Sequence, residues 1–349
     1  MNDSPRPDMR QNASSESTAR ASRAAGPGDS ARRVQPRTVF AVSALVVLIG
    51  IVVLFVWSSM KYSRIGDKLQ TPDPVDREAV AEAVDPVEDL TEEEPMYILV
   101  LGSDARPGQT RARSDTILLA RVDTANKAIN MLSFPRDSRV PIEGRGLDKM
   151  THANAFGGPA LVIKTVKEYT GLPVHHYVEL NFEGFVTVVD SLGGVVVNVE
   201  REINDPSGAD TGGVSNVTHI PAGEQRLNAV EALTFVRSRA YPDGDFTRIR
   251  NQQKFLVAFA KEALKRENIT RLPSVAEEAA ENIDTDMSIP ELVGLAMALR
   301  GLGDDDITGH TVPGRPTMIN GVSYVALDEP AARALFEEFR DGSVAEPGS

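Results

Sequence analysis

Residues Val39 to Trp57 read VFAVSALVVLIGIVVLFVW, an apolar run interrupted only by Ser43 and Gly50. At a helical rise of about 1.5 Å per residue it spans roughly 28 Å, close to the hydrocarbon thickness of a bilayer. Trp57 and Tyr62 suit the far interface. A cleaved signal sequence would have a shorter apolar core followed by small residues. Here Phe55, Trp57, Met60 and Lys61 follow instead, so the run is expected to be an uncleaved, single-pass transmembrane helix. Arg20, Arg23, Arg32, Arg33 and Arg37 precede it, against Lys61, Arg64 and Lys68 after it. That bias places the N-terminus in the cytoplasm and the large C-terminal part outside the cell membrane.

The span organises the rest of the chain. Residues 1–38 are rich in Ser, Ala, Arg, Pro and Gly without apolar periodicity and read as a disordered cytoplasmic tail. Residues 58–95, with their run of Asp and Glu from 70 onward, read as an acidic, solvated linker. A folded domain is expected over 96–343, leaving 344–349 as a tail. In it, Tyr97 to Leu101 reads as a buried strand, and Thr116 to Val122 with Ala128 to Phe134 as a hairpin. Pro159 to Tyr169 fits a helix stopped by Gly171, and His176 to Leu180 a strand. Phe182 to Leu192 has helical spacing, then Gly193-Gly194 turns into a strand over Val195 to Val199. Helices follow at 228–236, 247–266, 274–282, 290–300 and 329–340, with a hairpin over Thr311 to Leu327 turning at Asn320-Gly321. Strands and helices mix without regular βαβ alternation. The expected fold is an α/β protein, an α-β-α sandwich around a mixed central sheet.

Composition excludes several chemistries. A net charge of -13 argues against nucleic acid as a partner. No cysteine is present, which removes disulfides, thiol nucleophiles and thiolate metal sites. The 5 histidines are scattered without metal-ligand spacing.

Against this acidic background, basic residues gather around aspartates in three short stretches. These are Gly102-Ser-Asp-Ala-Arg106 with Arg113-Ser-Asp115-Thr116, then Phe134-Pro-Arg136-Asp137, then Val236-Arg-Ser-Arg239 with Asp245-Phe-Thr-Arg248. The guanidinium fork suits phosphate oxygens, and neighbouring carboxylates suit a hard cation such as Mg²⁺. Asp104 sits just past one strand and Asp115 just before another, so neighbouring strands would let both reach one ion. Arg237 and Arg239 would diverge on a helix and point together in an extended segment. Arg248 lies near a helix start with Gln252 one turn on. A pyrophosphate diester and two aspartates carry about four negative charges, of which one Mg²⁺ cancels half, so at least two arginines are required. The bland alternative is a turn at Gly-Ser-Asp, an Asp115–Arg113 pair and solvated arginines.

Taken in order, Gly102-Ser-Asp-Ala-Arg with Arg113-Ser-Asp-Thr, Ser133-Phe-Pro-Arg-Asp137, Lys149-Met-Thr-His-Ala153, Asn181-Phe-Glu-Gly-Phe185, Asp190-Ser-Leu-Gly-Gly-Val195, Val236-Arg-Ser-Arg239 and Asp245-Phe-Thr-Arg with Gln252-Gln253 resemble the LytR-CpsA-Psr family. The resemblance covers about 96 to 270 and weakens toward 340. It implies a Mg²⁺-dependent extracytoplasmic phosphotransferase. Such an enzyme moves a glycopolymer from a polyprenyl pyrophosphate carrier onto peptidoglycan and leaves a phosphodiester link. By matching position, Asp104 and Asp115 would hold the metal or do acid–base work, with Arg113 beside them. Arg136, Arg237, Arg239 and Arg248 would bind the pyrophosphate, with Arg106 and Gln252 in support. Asn251 departs from the family, which often has a basic residue there; Arg250 is the neighbour that could substitute. Phe182, Phe185, Phe255 and Phe259 are candidates for a groove taking the polyprenyl tail, though each equally suits ordinary core.

Other functions use the same residues. A polyprenyl-pyrophosphate hydrolase would use water as acceptor, either as its main reaction or as a pyrophosphatase side activity. An idle, anchored wall-binding or regulatory protein would have little use for intact aspartates and arginines in all three stretches. The glycopolymer is not named by these residues, whether arabinogalactan, teichoic acid or capsule.

Overall fold

A computed structural model of the chain describes residues 74–87, 90–91, 93–105, 109, 111–205, 217–239, 241, 245–303 and 305–344. Among these, no helix is long and apolar enough to cross a membrane. The expected span at 39–57, the tail at 1–38 and residues 345–349 lie outside the described residues.

The elements run in the order α1 (Pro74–Ala83), β1 (Met96–Ser103), β2 (Ser114–Asp123), β3 (Ala128–Ser133), β4 (Arg139–Ile142), β5 (Gly146–Lys149), α2 (Thr151–Thr170), β6 (His176–Leu180), α3 (Phe182–Ser191) and β7 (Val195–Val199). There follow β8 (Ile203–Asn204), β9 (His219–Ile220), β10 (Gly223–Leu227), α4 (Ala229–Arg237), α5 (Asp245–Ala263), α6 (Arg266–Ile269) and α7 (Leu272–Ala279). The chain closes with β11 (Ile283–Thr285), α8 (Ile289–Ala298), β12 (Ile307–Thr311), β13 (Gly314–Ile319), β14 (Val322–Leu327) and α9 (Glu329–Asp341).

β1 explains the layering. Its side chains alternate across the sheet, and both sets are apolar, as a strand covered on both faces requires. Tyr97, Leu99 and Leu101 join Ile117, Leu119 and Leu132 under one helical layer. That layer supplies Val80 and Ala83 from α1, Val162, Ile163 and Val166 from α2, and Ala332, Phe336 and Phe339 from α9. Ile98 joins Leu118, Ala120 and Met131 on the opposite face, against Leu256, Val257 and Ala260 of α5 and Leu292 and Leu295 of α8. The sheet is 6-stranded, ordered β11-β6-β1-β2-β3-β12. Its β1–β2, β2–β3 and β11–β6 pairs are antiparallel and its β1–β6 and β12–β3 pairs parallel. The mixed α-β-α sandwich read from the sequence is the observed fold.

A third apolar cluster flanks the second layer. It unites Val195, Val197 and Val199 of the β7–β10 ribbon with Leu233 and Phe235 of α4 and Phe255 of α5. Local signals set these boundaries. Asn228 and Glu231 form a reciprocal capping box at the start of α4, as Ser288 and Glu291 do for α8. Asn181 caps α3 by accepting from the Gly184 N–H. Gly171 ends α2 with φ 68°, a left-handed conformation that favours glycine.

Two boundaries differ from the sequence reading. Part of the supposed acidic linker is α1, whose Val80 is 3% exposed. Lys167 of α2 ties it down, donating to the Ala83 carbonyl and to Asp85, both at 2.8 Å. Asp76, Arg77, Glu78 and Glu82 are interleaved with its valines and alanines, so only packing shows that the narrow stripe through Val80 and Ala83 is buried. The domain therefore begins at or before residue 74, not at 96. At the other end Val344, read as tail, packs against the same core. Helix α2 also begins earlier than its expected start at Pro159, because a helical segment from Thr151 joins it through a break at Gly157 and Gly158.

Candidate active site

β1 and β2 are antiparallel neighbours, which brings Asp104 and Asp115 to one end of one ladder. Gly102 faces Thr116 and Ser103 faces Ser114, so Asp115 is an extra residue, a bulge in β2. Bulges re-aim side chains at strand ends, and this one presents Asp115 to a cavity. Gly102 lets the strands approach closely there, since an added Cβ would lie 3.1 Å from the Cβ of Thr116. Asp104 is fixed by the turn that follows: its Oδ1 accepts the Arg113 N–H at 2.9 Å, and its own N–H donates to the Arg113 carbonyl at 3.1 Å.

The arginines arrive from other elements. Arg136 follows β3 and pairs with Oδ1 of Asp115. Its carbonyl accepts the Thr151 N–H at 2.9 Å, which docks the start of α2 behind it. Arg237 closes the last turn of α4, with Nη1 3.5 Å from Asp115 Oδ2 and its guanidinium 4.0 Å above the Phe182 ring. Arg248, 3% exposed, lies in the first turn of α5. Burial alone would raise the Asp115 carboxyl, but the charges of Arg136, Arg237 and Arg248 outweigh it and hold the pKa below the usual carboxylate range. Asp115 stays ionised at neutral pH.

These groups line a cavity of about 530 Å³, within the usual range for ligand sites. The polar lining includes Asp104, Asp115, Thr116 and the arginines 113, 136, 237, 239 and 248. The apolar lining includes Leu180, Phe182, Phe185, Leu233 and Phe255. Arg113 and Arg239 are exposed, so they stand where the cavity meets solvent. Arg237 and Arg239 share the cavity although Arg237 is helical: the chain leaves the helix at Ser238, whose ψ is 138°. Gln252 also lines the cavity, while its amide donates to the Val236 carbonyl at 3.2 Å and so holds the end of α4. Arg106 lies outside the described residues.

The bland pairing of Asp115 with Arg113 is not what forms; Asp115 pairs with Arg136 and Arg237 instead. Arg250 is exposed, donates to Thr247 and is not part of the cavity lining, while Asn251 is buried and reaches the Tyr241 hydroxyl at 3.3 Å. Phe182, Phe185 and Phe255 line the cavity, whereas Phe259 packs beside Phe255 outside that lining. Sequence reasoning missed Asp205, a lining carboxylate that accepts from the Ser238 hydroxyl at 3.1 Å. Nothing near it in sequence marks it; only the fold carries it beside Ser238.

The donor set fits a hard divalent cation. Among the described residues no group of three or more His, Asp or Glu could hold a metal by itself. Mg²⁺, however, is commonly held by one or two carboxylates together with substrate phosphates, and Asp104 and Asp115 are two carboxylates lining the same cavity as five arginines.

Residues 54–341 match the model of the LytR_cpsA_psr family. The chain belongs to the LytR-CpsA-Psr family. A polyisoprenyl-teichoic acid–peptidoglycan teichoic acid transferase, TagU of Halalkalibacterium halodurans, is 32% identical over 260 residues, 74% of this chain and 82% of that protein. The crystal structure of B. subtilis TagV superposes with a TM-score of 0.63 at 27% identity, covering 74% of this chain and 100% of that one. A structure of TagT bound to LI-WTA gives 0.60 at 29% identity, covering 73% of this chain and 93% of that one. As a member of the LytR-CpsA-Psr family, the chain has the sandwich of these structures as its fold.

Proposed function

We propose that this protein is a membrane-anchored phosphotransferase that moves a glycopolymer from a polyprenyl pyrophosphate carrier onto peptidoglycan outside the cell. The observation that carries this is one cavity lined both by arginines 113, 136, 237, 239 and 248 and by Phe182, Phe185 and Phe255, with Arg237 seated over the Phe182 ring where the two kinds of lining meet. The substrate has the same two parts, a pyrophosphate and a polyprenyl chain. Relatives named as teichoic acid–peptidoglycan transferases support the reading, as does the apolar run at 39–57.

The transfer breaks the bond from the sugar-bearing phosphorus to the bridging oxygen. It forms a new bond from that phosphorus to an acceptor hydroxyl. Polyprenyl phosphate leaves with the bonding electron pair, and the hydroxyl proton passes to a base. Arg136, Arg237 and Arg248 bind the pyrophosphate and stabilise charge that grows on the leaving phosphate. Asp115, engaged by two guanidiniums, is a weak proton acceptor, which favours Asp104 as the base. Mg²⁺, held by Asp104 and Asp115, would neutralise phosphate charge when bound. Phe182, Phe185 and Phe255 receive the first isoprene units. With water in place of the acceptor the same site would hydrolyse the donor.

The test incubates the full chain in detergent with a labelled polyprenyl-pyrophosphate glycan, purified peptidoglycan and Mg²⁺. Label should appear on the peptidoglycan through an acid-labile phosphodiester and disappear with a chelator. Release of soluble label alone would make the protein a hydrolase, and unchanged donor would make it a binding protein.

A further inference from the structure

The β4–β5 hairpin places two cations in register outside the cavity. Arg139 and Lys149 are directly opposed on its antiparallel ladder. Like charges in that position repel, and both reach one aromatic ring: the Arg139 guanidinium lies 5.8 Å and the Lys149 ammonium 5.6 Å from the Tyr324 centroid on β14. Lys149 is neutralised by Asp137 at 2.8 Å. Arg139 has the ring alone; among the described residues no carboxylate lies within ion-pairing distance of it. In a chain of net charge -13, an arginine left facing a lysine without an acid beside it marks a place for an external anion.

This surface is continuous with the active site. Val325 donates to the Asp137 carbonyl at 2.8 Å, which fixes β14 beside the Arg136-Asp137 segment. Contacts then run in one row: Phe182 under Arg237, Arg237 to Asp115, Asp115 to Arg136, Arg136 to Asp137 at 3.7 Å, and Asp137 to Lys149 beside Tyr324. Phe182 begins this chain of contacts and the Arg139–Lys149–Tyr324 surface ends it. In-line displacement at phosphorus needs the leaving and attacking oxygens on opposite sides. A lipid phosphate leaving toward Phe182 requires the attacking hydroxyl to enter from another side of the site, and the Arg139–Lys149–Tyr324 surface is the charged surface that the contacts connect to it.

We propose that Arg139, Lys149 and Tyr324 form the subsite for the acceptor, a peptidoglycan strand whose peptide carboxylates meet Arg139 while its sugars lie against Tyr324. This rests on the transferase reading above. A partly exposed tyrosine offers sugars an apolar ring face and a hydroxyl together, and the arginine fork suits a carboxylate.

The test uses the full chain in detergent with two probes, purified polymer-free sacculi and a polyprenyl-pyrophosphate disaccharide. Arg139→Gln and Tyr324→Ala should each weaken sacculus binding and raise the half-saturating acceptor concentration by about tenfold, the value of one charge-assisted contact. Affinity for the disaccharide donor should stay within about twofold, a difference below the worth of one such contact. Tyr324→Phe keeps the ring and should retain most binding, which separates loss of the surface from loss of the fold. The assignment is overturned by unchanged sacculus binding in both variants. It is equally overturned if donor affinity falls in step, for the surface would then serve the glycopolymer. Should the wild type bind sacculi, the variants lose that binding, and no protein transfer any glycan, the subsite stands and the transferase reading falls. Normal transfer with normal acceptor saturation in both variants leaves that reading and removes the subsite.

Discussion

The two faces of the central sheet carry opposite designs on the same strands. Leu99 and Leu101 of β1 face a continuous dry layer built from α1, α2 and α9. On the other face Val100 and Gly102 reach a cavity of about 530 Å³, and the apolar contacts divide between two clusters on either side of it. The closed face provides stability, and the open face trades packing for a site in which three arginines gather around one carboxylate. Substitutions on the two faces should therefore separate stability from activity.

The largest effect should fall on the open face. Asp115→Asn removes the carboxylate that orders Arg136 and Arg237, and turnover should drop roughly a thousandfold, the scale of losing one strong electrostatic contact in a preorganised site. Asp104→Asn should behave alike. Unfolding midpoints set beside Mg²⁺-dependent turnover decide this, and parallel loss of both would break the contrast between the faces. The same variant has a pH signature. Because the folded pKa of Asp115 is depressed, its contribution to stability is complete above the unfolded value of about 3.9 and is lost as pH falls through the lower folded value. Acid unfolding of Asp115→Asn should lack that component.

On the closed face, Leu99→Ala should cost about 2–5 kcal/mol of stability, as a fully buried leucine does. Turnover per folded molecule should be kept, and chemical denaturation with activity normalised to folded protein measures both. A loss of specific turnover would show that the closed layer also sets the geometry of the site.

A smaller effect is expected from Arg237→Ala, roughly ten- to a hundredfold in donor affinity, because one charge-assisted contact is lost. Arg237→Lys should recover part of it, keeping charge but not the fork or its stacking on Phe182. Replacing Arg113, whose N–H donates to Asp104, should instead lower turnover with binding nearly kept. Single-turnover rates and donor titrations distinguish the two roles.

The smallest effect belongs to the surface of the closed face, where Asp76 of α1 meets Arg111 at 2.7 Å. Arg111→Ala should change stability by under about 1 kcal/mol, because exposed ion pairs contribute little. A larger loss in thermal unfolding would mean that this pair, rather than Val80, seats α1.

Much of this molecule is written in local signals. The alternation along β1, the helix stop at Gly171 and the turn at Asn320-Gly321 each follow from side-chain periodicity or backbone freedom in a few residues, and they suffice to read an α-β-α sandwich. The three Arg–Asp stretches were legible too, because paired charges beside apolar strands are unusual in an acidic chain. Other features depend on residues far apart. The burial of α1 depends on Lys167, 84 residues from the Ala83 carbonyl it grips. Asp115 was readable as a site residue, but its partner was not. The choice of Arg136 and Arg237 over the nearer Arg113 follows from a bulge that turns the carboxylate away from its own strand end. Asp205 enters the site only because the fold lays it beside Ser238. Periodicity and local chemistry act within a turn or two of chain, so the sequence determined elements, layers and candidate charges. Which charge meets which is decided by packing, since hydrogen bonds and ion pairs act over a few ångströms of space regardless of separation along the chain.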